Sequence, residues 1–497
     1  MRDKIRELTK DTAIYGISTI VGRFLNFLLI PFYTHFISTG AMGVYTNIYA
    51  YVAFLNILYI YGMDAAFMKY SSLAAPGEKK QTFSSAYLAV SLTTLLLSGL
   101  LFLLRSPFNS LMQVPSRYSH LVVYVVFIVL CDTLALIPFA NLRLERRAKK
   151  FALVKLGNIL LNLGLNLLFF IKLRMGIESI FLANLIASAA TLLVLLPEIL
   201  PRLRGGIRAD LLRRMLRFGL PYLPASLASI MVHVIDRPIV LRLTDHHTLG
   251  LYQTGHKLGI FMMLVVSMFQ YAWQPFFLNN AREKNAREMF ARVMTLFVLA
   301  AGLLWAVVSL FIDLFAGWEF AAGRSLIAAP FLPGLVIVPV ILLAYLFNGI
   351  YVNLWAGIYI EEKTKYFPLV TGAGALVNVA ANFLLIPRLG IMGAALAVLA
   401  SYLVMALLLH QVARRFYPVP YEYGKLARIL GTVIVTAAAY YWIYFRVGIE
   451  LWHRCALLAG FIALLLALRV VTRQDLRRVK ELLPRKKRVT SNKSARG

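Results

Sequence analysis

The sequence predicts an all-α polytopic membrane protein with about 14 transmembrane helices. Three observations predict it. The 497 residues are 60% hydrophobic and only 15% charged, with a mean hydropathy of +0.73, a balance foreign to soluble domains. Apolar stretches of roughly 20 residues, the length a helix needs to cross a bilayer, recur along the whole chain. Charge is also sided: roughly three quarters of the 52 Lys and Arg residues lie at the N-terminus, in every second loop and in the tail.

The apolar segments run at about 13–37, 43–63, 83–104, 119–140, 151–171, 176–197, 217–241, 249–276, 290–315, 326–356, 366–386, 390–412, 426–445 and 452–470. In the first, Thr19, Arg23 and Asn26 follow helical spacing and form one polar stripe. Arg23 lies about ten residues in, near the midplane at ~1.5 Å rise per residue. An ionisable group at that depth costs a few kcal/mol and faces protein or water. Arg23 therefore lines a cavity or forms half of a buried ion pair.

The second segment is closed by Asp64 at its cytoplasmic end. The fourth carries Asp132 deep inside, either binding a coupling cation or proton or pairing with Arg23. Lys155, at the start of the fifth, is expected to snorkel to the surface. The seventh places Ser226, Ser229, His233, Asp236 and Arg237 near one face. Neighbours in sequence do not face each other on a helix, which predicts that Asp236 and Arg237 pair with other helices, as a clamp or as a gate. His233 reads equally as a satisfied buried histidine or as a proton site.

The eighth segment repeats Gln253, Lys257, Ser267, Tyr271 and Gln274 on one expected wet face. Lys257 lines a cavity or snorkels outward. The tenth, with Pro330, Pro333 and Pro339, is expected to kink. Cys131 and Cys455 fall within apolar segments and read as small hydrophobes.

By the positive-inside rule both termini are cytoplasmic. The net charge of +30 invites a nucleic-acid partner, but the charge is distributed as topology signals, and the tail PRKKRVTSNKSARG suits anionic membrane lipids. No cleavable signal is evident, since the first segment is too long for one. The longest loops, about twenty residues, are too short for a catalytic domain with its own core. The chain contains no phosphate-binding loop motif and no Cys/His metal spacing, and His246-His247 reads as a solvated turn. The expectation is a protein without enzymatic activity, cofactor or metal. The basic excess within the membrane suits an anionic, phosphate-bearing substrate over a cationic drug.

The chain is also duplicated. TGAMGVYTNIYAYVAFLNIL (39–58) is echoed by HHTLGLYQTGHKLGIFMMLV (246–265), about 207 residues on, so that Gly43-Val44-Tyr45 falls on Gly250-Leu251-Tyr252. NLGLNLLFFIKLRMGI (162–177) is echoed by NVAANFLLIPRLGI (378–391). Internal repeats are the usual architecture of a transporter, with the substrate site between the halves. The charges do not repeat: Lys257 falls on Ala50 at an offset of 207, and Arg23 falls on Ser226 at an offset of 203.

Residues 28–70, LLIPFYTHFISTGAMGVYTNIYAYVAFLNILYIYGMDAAFMKY, resemble the opening two helices of bacterial polysaccharide flippases (O-antigen type) of the multidrug/oligosaccharidyl-lipid/polysaccharide exporter superfamily. The likeness continues in FGLPYLPASLASIMVHVIDRPIV, LGLYQTGHKLG and NVAANFLLIPRLGIMGAALAVLASYL, and spans essentially residues 10–412. It implies two six-helix lobes around a central cavity, residues 1–200 and 201–415, then two additional helices at 416–472 and a basic cytoplasmic tail at 473–497.

The implied substrate is an undecaprenyl-pyrophosphate-linked oligosaccharide, moved across the bacterial cytoplasmic membrane for surface polysaccharide synthesis by alternating access. A polysaccharide polymerase and glycosyltransferases are the expected partners. The related lipid II flippases carry basic cavity residues on the first and eighth helices, where this chain has Arg23 and Lys257. In this reading Arg23 and Lys257 hold the diphosphate, and Asn26, Gln253 and Gln274 contact sugar hydroxyls. Asp132, His233, Asp236, Arg237 and Asp64 are left for gating or ion coupling. Asp236-Arg237 matches the family's Leu-Pro…Asp-Arg pattern, whereas Asp132 and His233 depart from an all-basic cavity and leave the coupling ion open between H+ and Na+. The rival readings are a lipid II flippase for peptidoglycan, a drug/cation antiporter, and a membrane polymerase or transferase. The last needs a large outer loop that the sequence lacks.

Overall fold

A computed structural model describes residues 25, 29, 31–320 and 324–470. Arg23, Asn26 and the basic tail lie outside the described residues. Twelve helices among the described residues are long and apolar enough to cross a membrane, and they correspond to the second through thirteenth apolar segments. The fourteenth segment is a shorter apolar helix, Leu451–Ala467.

In chain order, α1 (Thr39–Ile60) and α2 (Met63–Leu73) share one broken span. Then come α3 (Lys79–Leu103), the short α4 (Arg105–Leu111), α5 (Leu121–Leu144), α6 (Ala148–Ile171) and α7 (Glu178–Ile199). A 3-10 turn, Leu200–Gly205, leads to α8 (Ala209–Gly219), α9 (Tyr222–Val234), α10 (Asp236–Leu243), α11 (His246–Leu258) and α12 (Ile260–Asn280). After these come α13 (Ala286–Gly317), α14 (Val338–Asn353), α15 (Trp355–Ile360), α16 (Tyr366–Leu389), α17 (Ile391–Phe416), α18 (Tyr423–Arg446) and α19 (Leu451–Ala467). Two-residue strands β1 (Glu319–Phe320) and β2 (Arg324–Ser325) pair antiparallel in the loop after α13.

Several spans are broken where the sequence reads as continuous. Between α1 and α2, Tyr61 and Gly62 take left-handed backbone angles. Asp64 therefore opens α2, in its first turn, rather than closing the second helix. Pro238 has no N–H to give Val234, so the seventh span divides at Ile235 into α9 and α10. The tenth segment begins as a 3-10 stretch, Ala329–Ile337, before α14, as its prolines lead one to expect.

The described residues form two compact units: those up to 286 with 312–419, and 287–311 with 420–470. In the second unit, Ile429, Val433 and Phe461 pack around Gly302. There the buried Arg454 also donates from Nη1 to the Leu310 carbonyl (2.7 Å). In the first unit, Phe67, Phe83, Ala140, Leu142, Leu195 and Met215 form a buried cluster joining α2, α3, α5, α7 and α8. Large side chains such as Leu96, Leu153, Leu376 and Leu384 stand exposed, an apolar exterior that suits lipid.

The two halves of the duplication pack on each other within the first unit. A Cβ on Gly43 of α1 would meet the main-chain carbonyl of His246, and a Cβ on Gly250 of α11 would meet that of Thr39. Thr39 falls on His246, and Gly43 on Gly250, at the spacing of the repeat, so the contact is reciprocal. Small residues let the two backbones approach this closely. Thr39 Oγ1 also lies 2.5 Å from His247 Nδ1.

Candidate functional site

The first compact unit holds two cavities of about 480 Å³ each. The first lies among α1, α5, α6 and α7. Asp132, Thr133 and Arg143 reach it from α5, Lys155 and Asn158 from α6, and Asn56 of α1 and Asn184, Ser188 and Thr191 of α7 complete it. Its polar wall is cross-braced: Asn158 donates to Thr191 Oγ1 (2.9 Å), which donates in turn to the Ala187 carbonyl (2.8 Å). Asn184 donates to the Tyr49 hydroxyl at 2.8 Å. Lys155, expected to snorkel, lines this cavity with Asp132, its Nζ 4.4 Å from the Phe139 ring centre. The cavity thus holds a carboxylate and two cations among neutral amides and hydroxyls, a surface able to bind phosphate and sugar oxygens.

The second cavity lies among α9, α12, α14, α15, α16 and α17 and is mainly aromatic. Tyr345, Tyr351, Trp355, Tyr359, Phe367 and Tyr402 line it with His233, Ser267, Gln270 and Asn348. Sequence reasoning missed this wall, although Tyr351, Trp355 and Tyr359 recur at four-residue spacing. Flat amphipathic rings with polar groups between them suit the alternating apolar and hydroxylated faces of a sugar.

Behind this cavity is a buried ionic cluster. Arg237 Nη1 pairs with Asp236 Oδ1 at 2.9 Å, and both residues are buried. The two neighbours thus pair with each other, contrary to the expectation for a continuous helix. The break at Ile235 puts them in the first turn of α10, and the long Arg237 side chain folds back to donate to the His233 carbonyl as well. The Tyr252 hydroxyl donates to Asp236 Oδ2, and Arg237 Nη2 lies 3.3 Å from His256 Nδ1, which ties α10 to α11. The Tyr402 hydroxyl lies 3.0 Å from His233 Nδ1 and extends the network to α17.

The expected wet face of the eighth span is not a single face. Its helix ends at Leu258 and restarts at Ile260, where Gly259 packs against Ile341 and Tyr345. Gln253 and Ser267 are buried and Tyr271 is exposed. Ser267 reaches the aromatic cavity; Lys257, half-buried, and Gln253 and Gln274 are not among the lining residues of either cavity. Asp132 is brought together with Lys155, and His233 with Ser267, while Asp64 lines neither cavity. Among the described residues, no group of three or more His, Cys, Asp or Glu is placed to hold a metal ion.

The sequence profile of the family described as "Polysaccharide biosynthesis protein" matches residues 8–281. No curated protein gives a significant match. Among solved structures, the fold is similar to "Lipid II flippase MurJ, inward closed conformation", with a TM-score of 0.66 and 16% identity over 93% of this chain and 99% of that one. It is similar too to an inward-facing multidrug resistance MATE family transporter of the MOP superfamily (TM-score 0.63, 12% identity, 84% of this chain and 95% of that one). A third is the Vibrio cholerae MATE transporter VcmN in the bent form (TM-score 0.53, 15% identity, 82% of this chain and 97% of that one). At these identities the likeness is one of fold alone.

Proposed function

This chain belongs to the polysaccharide biosynthesis protein family, and from that premise we propose that it flips an undecaprenyl-pyrophosphate-linked oligosaccharide across the bacterial cytoplasmic membrane for surface polysaccharide synthesis. The observation that carries the reading is the family match over residues 8–281. The two cavities support it chemically. Lys155 of the first cavity supplies a cation for the diphosphate; Arg23 and Lys257, with Asn26, Gln253 and Gln274 as sugar contacts, complete the proposed site on the family resemblance and not on the lining of either cavity. The aromatic wall from Tyr351 to Tyr359 offers stacking surfaces for sugar rings. The polyprenyl tail stays in lipid, and the two repeat halves rock about the reciprocal seam of α1 and α11. Asp132 and His233 are the candidate carriers of the coupling ion, H+ or Na+. Both termini face the cytoplasm, as the charge asymmetry implies.

The test is a host lacking its own flippase. Wild type restores surface polysaccharide, whereas Arg23→Ala, Lys155→Ala and Lys257→Ala lower it at normal protein levels. Normal polysaccharide in all three variants contradicts the assignment of the site. A lipid II flippase for peptidoglycan is the second reading, favoured by the structural likeness over 93% of the chain. Rescue of a strain depleted of that activity decides between the two.

A further inference from the structure

A third cavity, of about 590 Å³, lies apart from the two already described. It is formed where α2 and α5 end and α3 begins, beside the 3-10 turn after α7. Charge asymmetry assigns these helix ends to the cytoplasm. Lys79 and Lys80 line it from the first turn of α3, Arg202 from the 3-10 turn, Ser71 from α2, and Asn141 and Glu145 from the end of α5. Basic residues at helix ends are ordinary topology signals, but here they are gathered into a concavity by close packing. A Cβ on Gly205 would stand 2.8 Å from backbone atoms of Lys80 and Gln81, so the 3-10 turn is seated directly on the start of α3. Ser84 Oγ donates to the Leu203 carbonyl at 3.1 Å and holds the same contact.

Arg202 is preorganised. Its Nη2 lies 2.8 Å from Glu145 Oε1, and its Nη1 lies 2.9 Å from Glu198 Oε2 and 2.7 Å from the Glu198 carbonyl. The buried Glu198 is shared among three cations, for it also pairs with Arg147 (2.7 Å) and with Lys150. Lys79 and Lys80, by contrast, have no ion-pair partner among the described residues. Nor does the N-cap residue of α3, Glu78, bond the first turn with its side chain; its carboxylate goes to Arg208 at 3.0 Å. The positive end of α3 and two uncompensated ammonium groups therefore meet at the pocket.

We propose that this pocket binds a phosphate group at the cytoplasmic surface, either of an anionic lipid headgroup or of a free or carrier-borne diphosphate. A phosphate offers several acceptor oxygens to the two lysines and the Ser71 hydroxyl, while Arg202, its fork held by Glu145 and Glu198, fixes the wall beside them. The volume is in the range of small-molecule sites and admits either source. The pocket would hold such a group whatever cargo the other cavities carry.

The experiment uses the full chain in phosphatidylcholine nanodiscs, titrated with inorganic pyrophosphate, and in nanodiscs containing phosphatidylglycerol, with co-purifying phosphatidylglycerol counted by native mass spectrometry. Wild type is compared with Lys79→Gln/Lys80→Gln and with Lys149→Gln, an exposed lysine outside the pocket. These exposed surface substitutions leave folding intact. The expected result is roughly tenfold weaker binding in the double variant, with the Lys149 variant unchanged. Loss in the pyrophosphate arm identifies a diphosphate ligand, and loss in the phosphatidylglycerol arm identifies a headgroup. Equal binding by wild type and the double variant in both arms, or binding in neither, overturns the proposal.

Discussion

Gly43 sits against the main-chain carbonyl of His246, and in the other half of the duplication Gly250 sits against that of Thr39. Each half of the repeat thus supplies a glycine to the other's backbone. A side chain at either position has no room without moving a helix. Gly43→Val and Gly250→Val should each lower stability by about 1–3 kcal/mol, the usual cost of overpacking. Gly99, with nothing near its missing Cβ, should accept Ala with little loss. Thermal unfolding of the detergent-purified variants checks this; a Gly43 variant as stable as wild type contradicts the seam.

The Asp236–Arg237 pair predicts strong non-additivity. Removing one partner of a buried pair leaves an uncompensated charge and costs about 3–5 kcal/mol. Asp236→Asn and Arg237→Leu should each destabilise on that scale, and the double variant by clearly less than their sum. A double-mutant cycle on unfolding midpoints measures the coupling, and additive losses contradict it.

Lys155 and Asp132 should separate transport from stability. Both side chains face a cavity and are exposed, so Lys155→Ala and Asp132→Asn should leave the unfolding midpoint within about 0.5 kcal/mol of wild type. Surface polysaccharide restored by these variants should nevertheless fall. If Asp132 carries the coupling ion, its Asn variant should also lose the dependence of transport on a proton or sodium gradient.

Asp245 caps α11 by accepting from the Thr248 N–H at 2.7 Å, and that hydrogen bond holds its carboxyl below the usual range. A depressed folded pKa means the stabilisation is full above the unfolded value of about 3.9 and is lost as pH falls through the folded value. Asp245→Ala should therefore cost about 1 kcal/mol at neutral pH. The gap from wild type should close as pH drops below about 4. Unfolding midpoints of both proteins across that range check it, and a gap that persists into acid contradicts the cap.

The spans themselves were legible in the sequence, because a membrane demands long apolar runs and sided charge. The duplication was visible because Gly43 and Gly250 keep their spacing, but that the two glycines face each other's backbone shows only in the packing. Where a helix breaks was harder to read. The division at Ile235, the left-handed turn at Tyr61 and the restart at Gly259 all fall inside runs that read as continuous, although Pro238 marks the first, and Tyr271 is exposed instead of sharing a wet face with the buried Gln253. Lys155 read as a snorkelling residue because its depth along α6 says nothing about which neighbours surround it; Asp132 and Phe139 come from α5. Cavities are made by packing between distant elements, and periodicity along one helix describes only that helix.

The central claim, that this chain moves a lipid-linked oligosaccharide across a bilayer, is tested most directly in proteoliposomes holding a fluorescent undecaprenyl-pyrophosphate-linked oligosaccharide. The fraction open to a membrane-impermeant quencher is followed in time. The account predicts exchange between leaflets that requires the protein and slows in the Lys155→Ala variant; exchange no faster than in protein-free vesicles contradicts it.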